Sequence, residues 1–212
     1  MPFPCRALAA LLLLTAPVCA APPGSDLFNG QDLAGWEFVA VPAADIGTVC
    51  RLLPDGVIAA AGAPVGFIAT TASYENYQLH AEWRWPAKPG NSGVLVHISS
   101  GPKDRAWPLC LQIQTKHGAA GDLLPMAGAS FAEPLAPDQK TPQRPHTAPD
   151  SEKPAGEWNT CDITCRGDTV EVVINGVVQN TVTRATPRAG RIGFQFEGVP
   201  FELRRVGVVR LD

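Results

Sequence analysis

The chain has 212 residues, of which 45% are hydrophobic and 17% are charged, and its net charge is -3. This hydrophobic fraction suffices for a buried core and excludes a disordered chain. The 17 basic residues are outnumbered by 20 acidic residues and form no basic run, which argues against a nucleic-acid partner. The 21 prolines and 20 glycines are typical of many turns and short elements, and not of a helical bundle.

Residues 1–20 are predicted to be a signal peptide. Arg6 precedes an apolar run over 7–17, which is too short to span a bilayer. The residues before Ala21 suit a signal peptidase, so we expect cleavage after Ala20. A secreted or periplasmic protein is favoured over a lipoprotein attached through Cys19, and we expect no stable membrane insertion.

Residues 21–212 are predicted to form a single domain. This part of the chain holds four cysteines, and export to an oxidising space favours at least one disulfide among them. Cys161 and Cys165 lie four residues apart on a predicted strand, which is too far for them to pair with each other.

Strand patterns dominate this domain. A Pro-Asp-Gly turn within 53–56 separates two short apolar strands. Residues 77–85 alternate strictly, which predicts a strand with apolar side chains on one face and polar side chains on the other. Similar patterns predict strands at 91–98, 109–115, 160–174, 177–183, 191–196 and 202–211, with an Asn-Gly turn at 175–176.

Residues 132–155 contain six prolines and several charges, which predicts a long exposed loop within the domain. About ten strands with half-polar faces predict an all-β fold, a two-sheet jelly-roll sandwich.

The sequence contains no common hydrolase, phosphate-binding or dinucleotide-binding motif, and its four histidines are scattered. The useful pattern is polar residues that share a strand face. Gln112 and Gln114 alternate with apolar residues and Lys116 continues their face, so the three side chains are expected to point the same way. Such a face is either a solvated surface or the floor of a sugar site.

Several segments in order resemble the 3-keto-disaccharide hydrolase domain family. They are LFNGQDLAGW at 27–36, NSGVLVHI at 91–98, EKPAGEWN at 152–159, INGVVQN at 174–180, and GRIGFQFEGVPFELRRVGVVRL at 190–211. The resemblance implies a concanavalin A-like lectin/glucanase sandwich, bacterial export and hydrolase activity on carbohydrate. We expect no cofactor and no metal.

The resemblance also implies site residues. Asn91 matches the family's Asn-Ser-Gly, and His97 stands where the family often has Arg or His. Gln112 stands where the family usually has Glu in a Glu-x-Gln pair, of which Gln114 keeps the second position. A carboxylate can act as a general base and an amide cannot, so the catalytic group is sought elsewhere, with His97, Glu82 and Asp122 as candidates.

We expect His97 to lie beside Gln112 on one polar floor, because the family's corresponding strands are neighbours. Changing either residue to Ala should then weaken binding or turnover with little loss of fold.

The reaction implied by the resemblance is cleavage of 3-keto-glycosides after proton abstraction at C2. The alternatives are a non-catalytic carbohydrate-binding module and a structural domain. The full set of predicted substrate-binding residues is Arg84, Asn91, Gln112, Gln114, Lys116, Lys153 and Gln195.

Overall fold

A computed structural model describes residues 24–137 and 139–212. These residues form fourteen strands and one short helix. In chain order the elements are β1 Ser25–Asp26, β2 Trp36–Ala40, α1 Ile46–Val49, β3 Cys50–Leu52, β4 Ile58–Ala60, β5 Gly66–Thr70, β6 Tyr77–Arg84, β7 Gly93–Asp104, β8 Trp107–Gln114, β9 Leu123–Met126, β10 Asn159–Arg166, β11 Thr169–Ile174, β12 Val177–Val182, β13 Arg191–Phe196 and β14 Phe201–Arg210.

The strands make two antiparallel sheets that pack face to face, which confirms the predicted jelly-roll sandwich. Sheet A has eight strands in the order β12-β11-β10-β6-β14-β4-β3, with β1 paired to β14. Sheet B has six strands in the order β2-β5-β13-β7-β8-β9. Most sheet neighbours are distant in sequence, so the fold depends on long-range pairing.

The core lies between the two sheets and follows the period-two alternation of the strands. On β6 the buried residues include Tyr77, Leu79 and Trp83, as the alternation predicts. They belong to the same apolar cluster as Phe194 and Phe196 of β13 in the opposite sheet. Each strand therefore contributes one face to the core and leaves the other face for other contacts.

The prediction of one strand over 160–174 is wrong. A turn at Gly167 and Asp168 divides this segment into β10 and β11, which pair with each other in register from Arg166 and Thr169 onward. Gly167 has a φ of 58°, a conformation that glycine adopts without steric cost. Strands β2 and β5 were not predicted from the sequence, because neither short segment shows a clear alternation.

The Pro-rich loop joins the edges of the two sheets. Residues 127–158 contain no strand of two or more residues among those described. Arg144 pairs with Leu123 at the edge of sheet B. A few residues later the Thr147 backbone N–H donates to the carbonyl of Gln179 on β12, at the edge of sheet A. The loop therefore closes one side of the sandwich.

The prediction of at least one disulfide among the four cysteines of residues 21–212 is wrong. Cys50, Cys110, Cys161 and Cys165 are all free and buried. Cys161 and Cys165 lie on β10 and point into the core, whereas Cys110 lies in a second apolar cluster on the far side of sheet B.

The predicted signal peptide lies outside the described residues. Within the part of the chain that the structure describes, no helix has the length and apolar character needed to cross a bilayer.

Candidate active site

The polar residues of β8 and β13 lie on the face of sheet B that is turned away from sheet A, here called the outer face. The apolar residues that alternate with them pack in the core. Gln112, Gln114 and Gln195 therefore point away from the core, as the sequence predicted. All three are buried despite this direction, and Gln112 is only 1% exposed.

Gly93, on the strand between β8 and β13, leaves space for the Gln112 side chain. Strand β7 lies between β8 and β13, and Gly93 of β7 pairs with Gln114. A Cβ atom at Gly93 would lie 2.7 Å from Nε2 of Gln112. Only glycine at position 93 leaves room for the Gln112 side chain to cross β7 and reach Gln195.

Five residues form one hydrogen-bonded row, here called the polar strip: Asn91, Gln112, Gln114, Gln195 and Glu197. Nε2 of Gln112 donates to Oε1 of Gln114 at 3.0 Å and to Oε1 of Gln195 at 2.9 Å. Nε2 of Gln195 then donates to Oε2 of Glu197 at 2.7 Å. Nδ2 of Asn91 donates to the same carboxylate oxygen, also at 2.7 Å.

Glu197 is the ionisable end of the polar strip. Its side chain is half-buried, and burial raises the pKa of its carboxyl above the usual value. The positive charges of Lys116 and Arg105 act in the opposite direction and lower this pKa. The carboxyl is therefore suited to exchange a proton closer to neutral pH than an exposed glutamate.

Two oxygens of the polar strip are buried without a partner among the described residues. They are Oε1 of Gln112 and Oδ1 of Asn91. A buried acceptor without a donor costs free energy, so such atoms usually mark a place for water or a ligand group. Hydroxyl groups of a sugar are donors of the required kind.

His97 does not lie on the polar strip, and the prediction that it shares a floor with Gln112 is wrong. The pairing of β7 is irregular after Val96, so the alternation shifts there. Ile98 belongs to the second apolar cluster, on the outer face of sheet B, together with Cys110. His97 instead packs edge-to-face on Tyr77, with ring centroids 5.6 Å apart. Its ring nitrogens lie 3.0 Å from the carbonyl oxygen of Pro187 and 3.2 Å from that of Glu75.

Glu82 and Arg84 lie on the outer face of sheet A, on the opposite side of the molecule from the polar strip. Glu82 accepts from Nε of Arg204 at 2.5 Å and from Arg205 at 2.9 Å. Arg84 donates to Glu202 and lies over the ring of Trp158, 4.6 Å from its centroid. The structure therefore contradicts their expected place at the same site as Gln112.

Asp122 and Lys153 have structural partners in the Pro-rich loop. Asp122 is 4% exposed, and its carboxylate accepts from the backbone N–H of His146 at 2.7 Å. Nδ1 of the His146 ring lies 2.6 Å from the same oxygen, Oδ1. Nζ of Lys153 donates to the carbonyl of Trp158 at 3.0 Å, close to its own position in the chain. Neither side chain is hydrogen-bonded to the polar strip.

Lys116 lies two residues beyond the end of β8 and is exposed. It does not continue the strand, but its charge acts on Glu197. Glu197 itself was missed in the sequence. The available signal was the alternation of β13, because Glu197 follows Gln195 by two residues and so continues the same face.

The fold is similar to those of carbohydrate-active proteins of known structure. A proposed glycosyl hydrolase from Parabacteroides distasonis is 25% identical, with a TM-score of 0.61 over 88% of this chain and 93% of that one. A second proposed glycosyl hydrolase from that bacterium is 21% identical, with a TM-score of 0.64 over 90% and 100%. A β-glucanase from Bacillus licheniformis is 11% identical, with a TM-score of 0.54 over 90% and 98%.

No curated protein matches the chain in sequence. A family model described as a 3-keto-alpha-glucoside-1,2-lyase-like domain matches residues 24–209, which is nearly all of the described chain. This match confirms the resemblance drawn from the motifs. The chain therefore belongs to the 3-keto-alpha-glucoside-1,2-lyase-like family.

Proposed function

We propose that the protein is an enzyme that cleaves 3-keto-glycosides on the polar strip. The observation that carries this proposal is a row of buried amides that ends at a half-buried carboxyl and leaves two acceptor oxygens without partners. Amides supply the donors and acceptors that sugar hydroxyls need, and the carboxyl supplies a group that exchanges protons. Family membership adds the chemical class of the substrate.

The reaction follows from the acidity of the substrate. A carbonyl at C3 acidifies the hydrogen on C2, so a base can remove it. The electrons of the C2–H bond then form a C1=C2 double bond, and the bond from C1 to the glycosidic oxygen breaks. The leaving oxygen takes up a proton, and water later adds across the double bond to give the free 3-keto sugar.

Such a site needs a base, an acid for the leaving group and a positive group near the enolate oxygen. Arg84, a predicted substrate-binding residue, does not serve the enolate oxygen because it lies on the outer face of sheet A. Lys116 is exposed at the Glu197 end of the polar strip and is the better candidate. Gln112 and Asn91 would bind hydroxyls through their unpartnered oxygens.

The direct test is incubation of the purified protein with 3-keto-trehalose and 3-keto-lactose. We expect release of a free sugar from both, and none from trehalose or lactose, because those sugars lack the C3 carbonyl. Absence of release from either keto sugar would contradict the proposal.

The second candidate is a carbohydrate-binding module without turnover. It is favoured by Gln112, an amide at the position where the family usually has a carboxylate. Calorimetric titration with the same keto sugars separates the two candidates. Saturable binding without release would select the binding module.

We also propose that the mature chain is exported and begins at Ala21, which rests on the short apolar run before it. N-terminal sequencing of protein from the periplasm or culture medium tests this. A chain that still begins at Met1 would contradict it.

A further inference from the structure

Glu197 lies where the chain leaves the outer face of sheet B. Strand β13 ends at Phe196, and the alternation that directs Gln195 outward carries on to Glu197. Its carboxyl is held from two sides, by Gln195 of its own strand and by Asn91 at the start of β7. The carboxyl therefore has a defined position next to the row of amides.

The orientation of the Gln195 amide follows from its two neighbours, Gln112 and Glu197. Nε2 of Gln112 donates to two neighbours, so Gln195 presents its Oε1 to Gln112 and its Nε2 to Glu197. Oε2 of Glu197 thus receives two N–H donors and has no place for a proton. Any proton on this carboxyl sits on Oε1, which makes no hydrogen bond to the described residues.

This arrangement connects the amide at position 112 to a carboxyl. An amide cannot act as a general base, but a carboxyl lies two side chains further along the same hydrogen-bonded row. Gln112 binds Gln195, and Gln195 binds Glu197. A carboxyl therefore lies beside the amides of β8, and the chain supplies it directly after β13.

We infer that Glu197 is the catalytic base of the proposed reaction and that its Oε1 takes the proton from C2. This inference rests on the proposed function. In the step, Oε1 forms a bond to the C2 hydrogen, the C2–H electrons form the C1=C2 double bond, and C1–O bond cleavage leaves the electron pair on the departing oxygen. That oxygen takes its proton from water, the hydroxide so formed adds to C1, and C2 takes back the proton from Oε1. Oε2 keeps its two donors throughout.

The test is Glu197→Gln, because a glutamine can keep its amide oxygen at the Oε2 position and accept from Asn91 and Gln195 as before. We expect kcat on 3-keto-trehalose to fall by about 10²–10⁴-fold, which is typical for loss of a general base, while KM and the melting temperature change little. The matched control is Glu171→Gln, an exposed carboxyl on β11 of the other sheet, which should keep the wild-type rate. A Glu197→Gln rate within tenfold of the wild type would overturn the inference and leave the proposed function in place.

A second readout follows the proton itself. In D₂O, a 3-keto sugar bound to the wild type should gain deuterium at C2, and Glu197→Gln should abolish this exchange. If the wild type neither exchanges C2 nor releases sugar, the proposed function fails and the inference fails with it. If only release is lost in the variant while exchange continues, another group is the base and the inference is wrong.

The third readout separates a base from a residue that only positions others. Lys116 lowers the pKa of Glu197, so Lys116→Met should move the acid limb of the kcat/KM profile to higher pH. A limb that stays in place would show that Glu197 does not titrate in the reaction, and the inference would be overturned.

Discussion

At the scale of single residues, the backbone of His97 decides where its side chain lies. The residue has a φ of 56° at the irregular pairing of β7, so the alternation that would direct it outward is interrupted. Its side chain is buried against Tyr77. His97 therefore contributes to packing at the end of the sandwich, and the role in catalysis expected from the sequence has no support in its position.

The expected effect of His97→Ala is accordingly reversed. Loss of the ring leaves a cavity and an unpaired carbonyl, so the free energy of unfolding should fall by about 2–4 kcal/mol. Turnover of 3-keto-trehalose at a temperature well below unfolding should stay near that of the wild type. Urea denaturation and initial rates check the two parts. The control is His117→Ala, whose side chain is 58% exposed, and a stable but inactive His97→Ala would contradict this assignment.

His97 also predicts a pH dependence. Burial lowers the pKa of this histidine below its usual value of about 6.5, so the unfolded chain binds the proton more readily than the folded one. The contribution of the neutral ring to stability is complete above about pH 6.5 and is lost as the pH falls through the lowered pKa. The difference in free energy of unfolding between the wild type and His97→Ala should therefore shrink on acidification, and urea denaturation over a pH series should detect it. A difference that grows would contradict the burial argument.

Gln112 acts on stability as well as on ligand contacts, because its Nε2 is the donor for both Gln114 and Gln195. Its replacement by Ala was expected to leave the fold intact. The structure indicates instead a cost of about 1–3 kcal/mol for each acceptor left buried without a donor.

Gln112→Glu tests the direction of the hydrogen bonds in the polar strip. A carboxylate at this position would face two acceptor oxygens, and only its protonated form could donate to one of them. Its pKa in the folded state should therefore rise, and the variant should lose stability as the pH increases, by about 1–3 kcal/mol relative to the wild type near neutral pH. Urea denaturation in acidic and neutral buffer measures this. Gln78→Glu, at an exposed position on β6, is the control and should change little; an equally stable Gln112→Glu at neutral pH would contradict the assigned directions.

At the scale of elements, the Pro-rich loop depends on Asp122. This carboxylate is buried just before β9, and it binds the backbone and ring of His146 and the side chain of Gln143. The loop has no strand of its own in the described residues, so such side-chain contacts replace sheet pairing. Asp122 was a catalytic candidate in the sequence, and its contacts identify it instead as the residue that holds the loop.

Asp122→Ala should loosen the loop without unfolding the sandwich. We expect the free energy of unfolding to fall by about 1–3 kcal/mol, because the His146 N–H loses its acceptor. Amide hydrogen exchange should become faster over residues 143–147. Asp150→Ala is the control within the same loop, since among the described residues the Asp150 side chain accepts only from the nearby Glu152 N–H. Unchanged exchange at His146 in Asp122→Ala would contradict the anchoring role.

At the scale of the whole molecule, the sandwich is held by packing and strand pairing without a covalent cross-link among the described residues. Cys161 and Cys165 are core residues of β10, and Cys50 packs in the same cluster. Burial raises the pKa of Cys50 and of Cys165 to about 12, which keeps these thiols protonated and unreactive near neutral pH.

Residues 21–212 should therefore contain four free thiols in protein purified without reductant. Ellman's reagent should label almost none of them in the folded protein, because all four are buried. After denaturation in guanidinium, all four should react. Fewer than four reactive thiols in the denatured chain would show that a disulfide forms after all.

Much of the architecture was predictable from local sequence because side-chain alternation is a property of each strand by itself. The pattern over 77–84 identified β6 and its buried face, and the Asn-Gly pair at 175–176 identified the hairpin of β11 and β12. The same arithmetic placed Gln112, Gln114 and Gln195 on the outer face of sheet B. These statements need only the period of a strand and the conformational preferences of turn residues.

Only the tertiary structure decided which polar residues meet. Gln112 and Gln195 are 83 positions apart, and Asn91 and Glu197 are 106 apart, so no local pattern reports their contacts. The bulge that turns His97 inward likewise depends on how β7 pairs with β8. The physical reason is that alternation tells which face a side chain takes, whereas the order and register of strands determine its neighbours, and these are set by the packing of the whole sandwich.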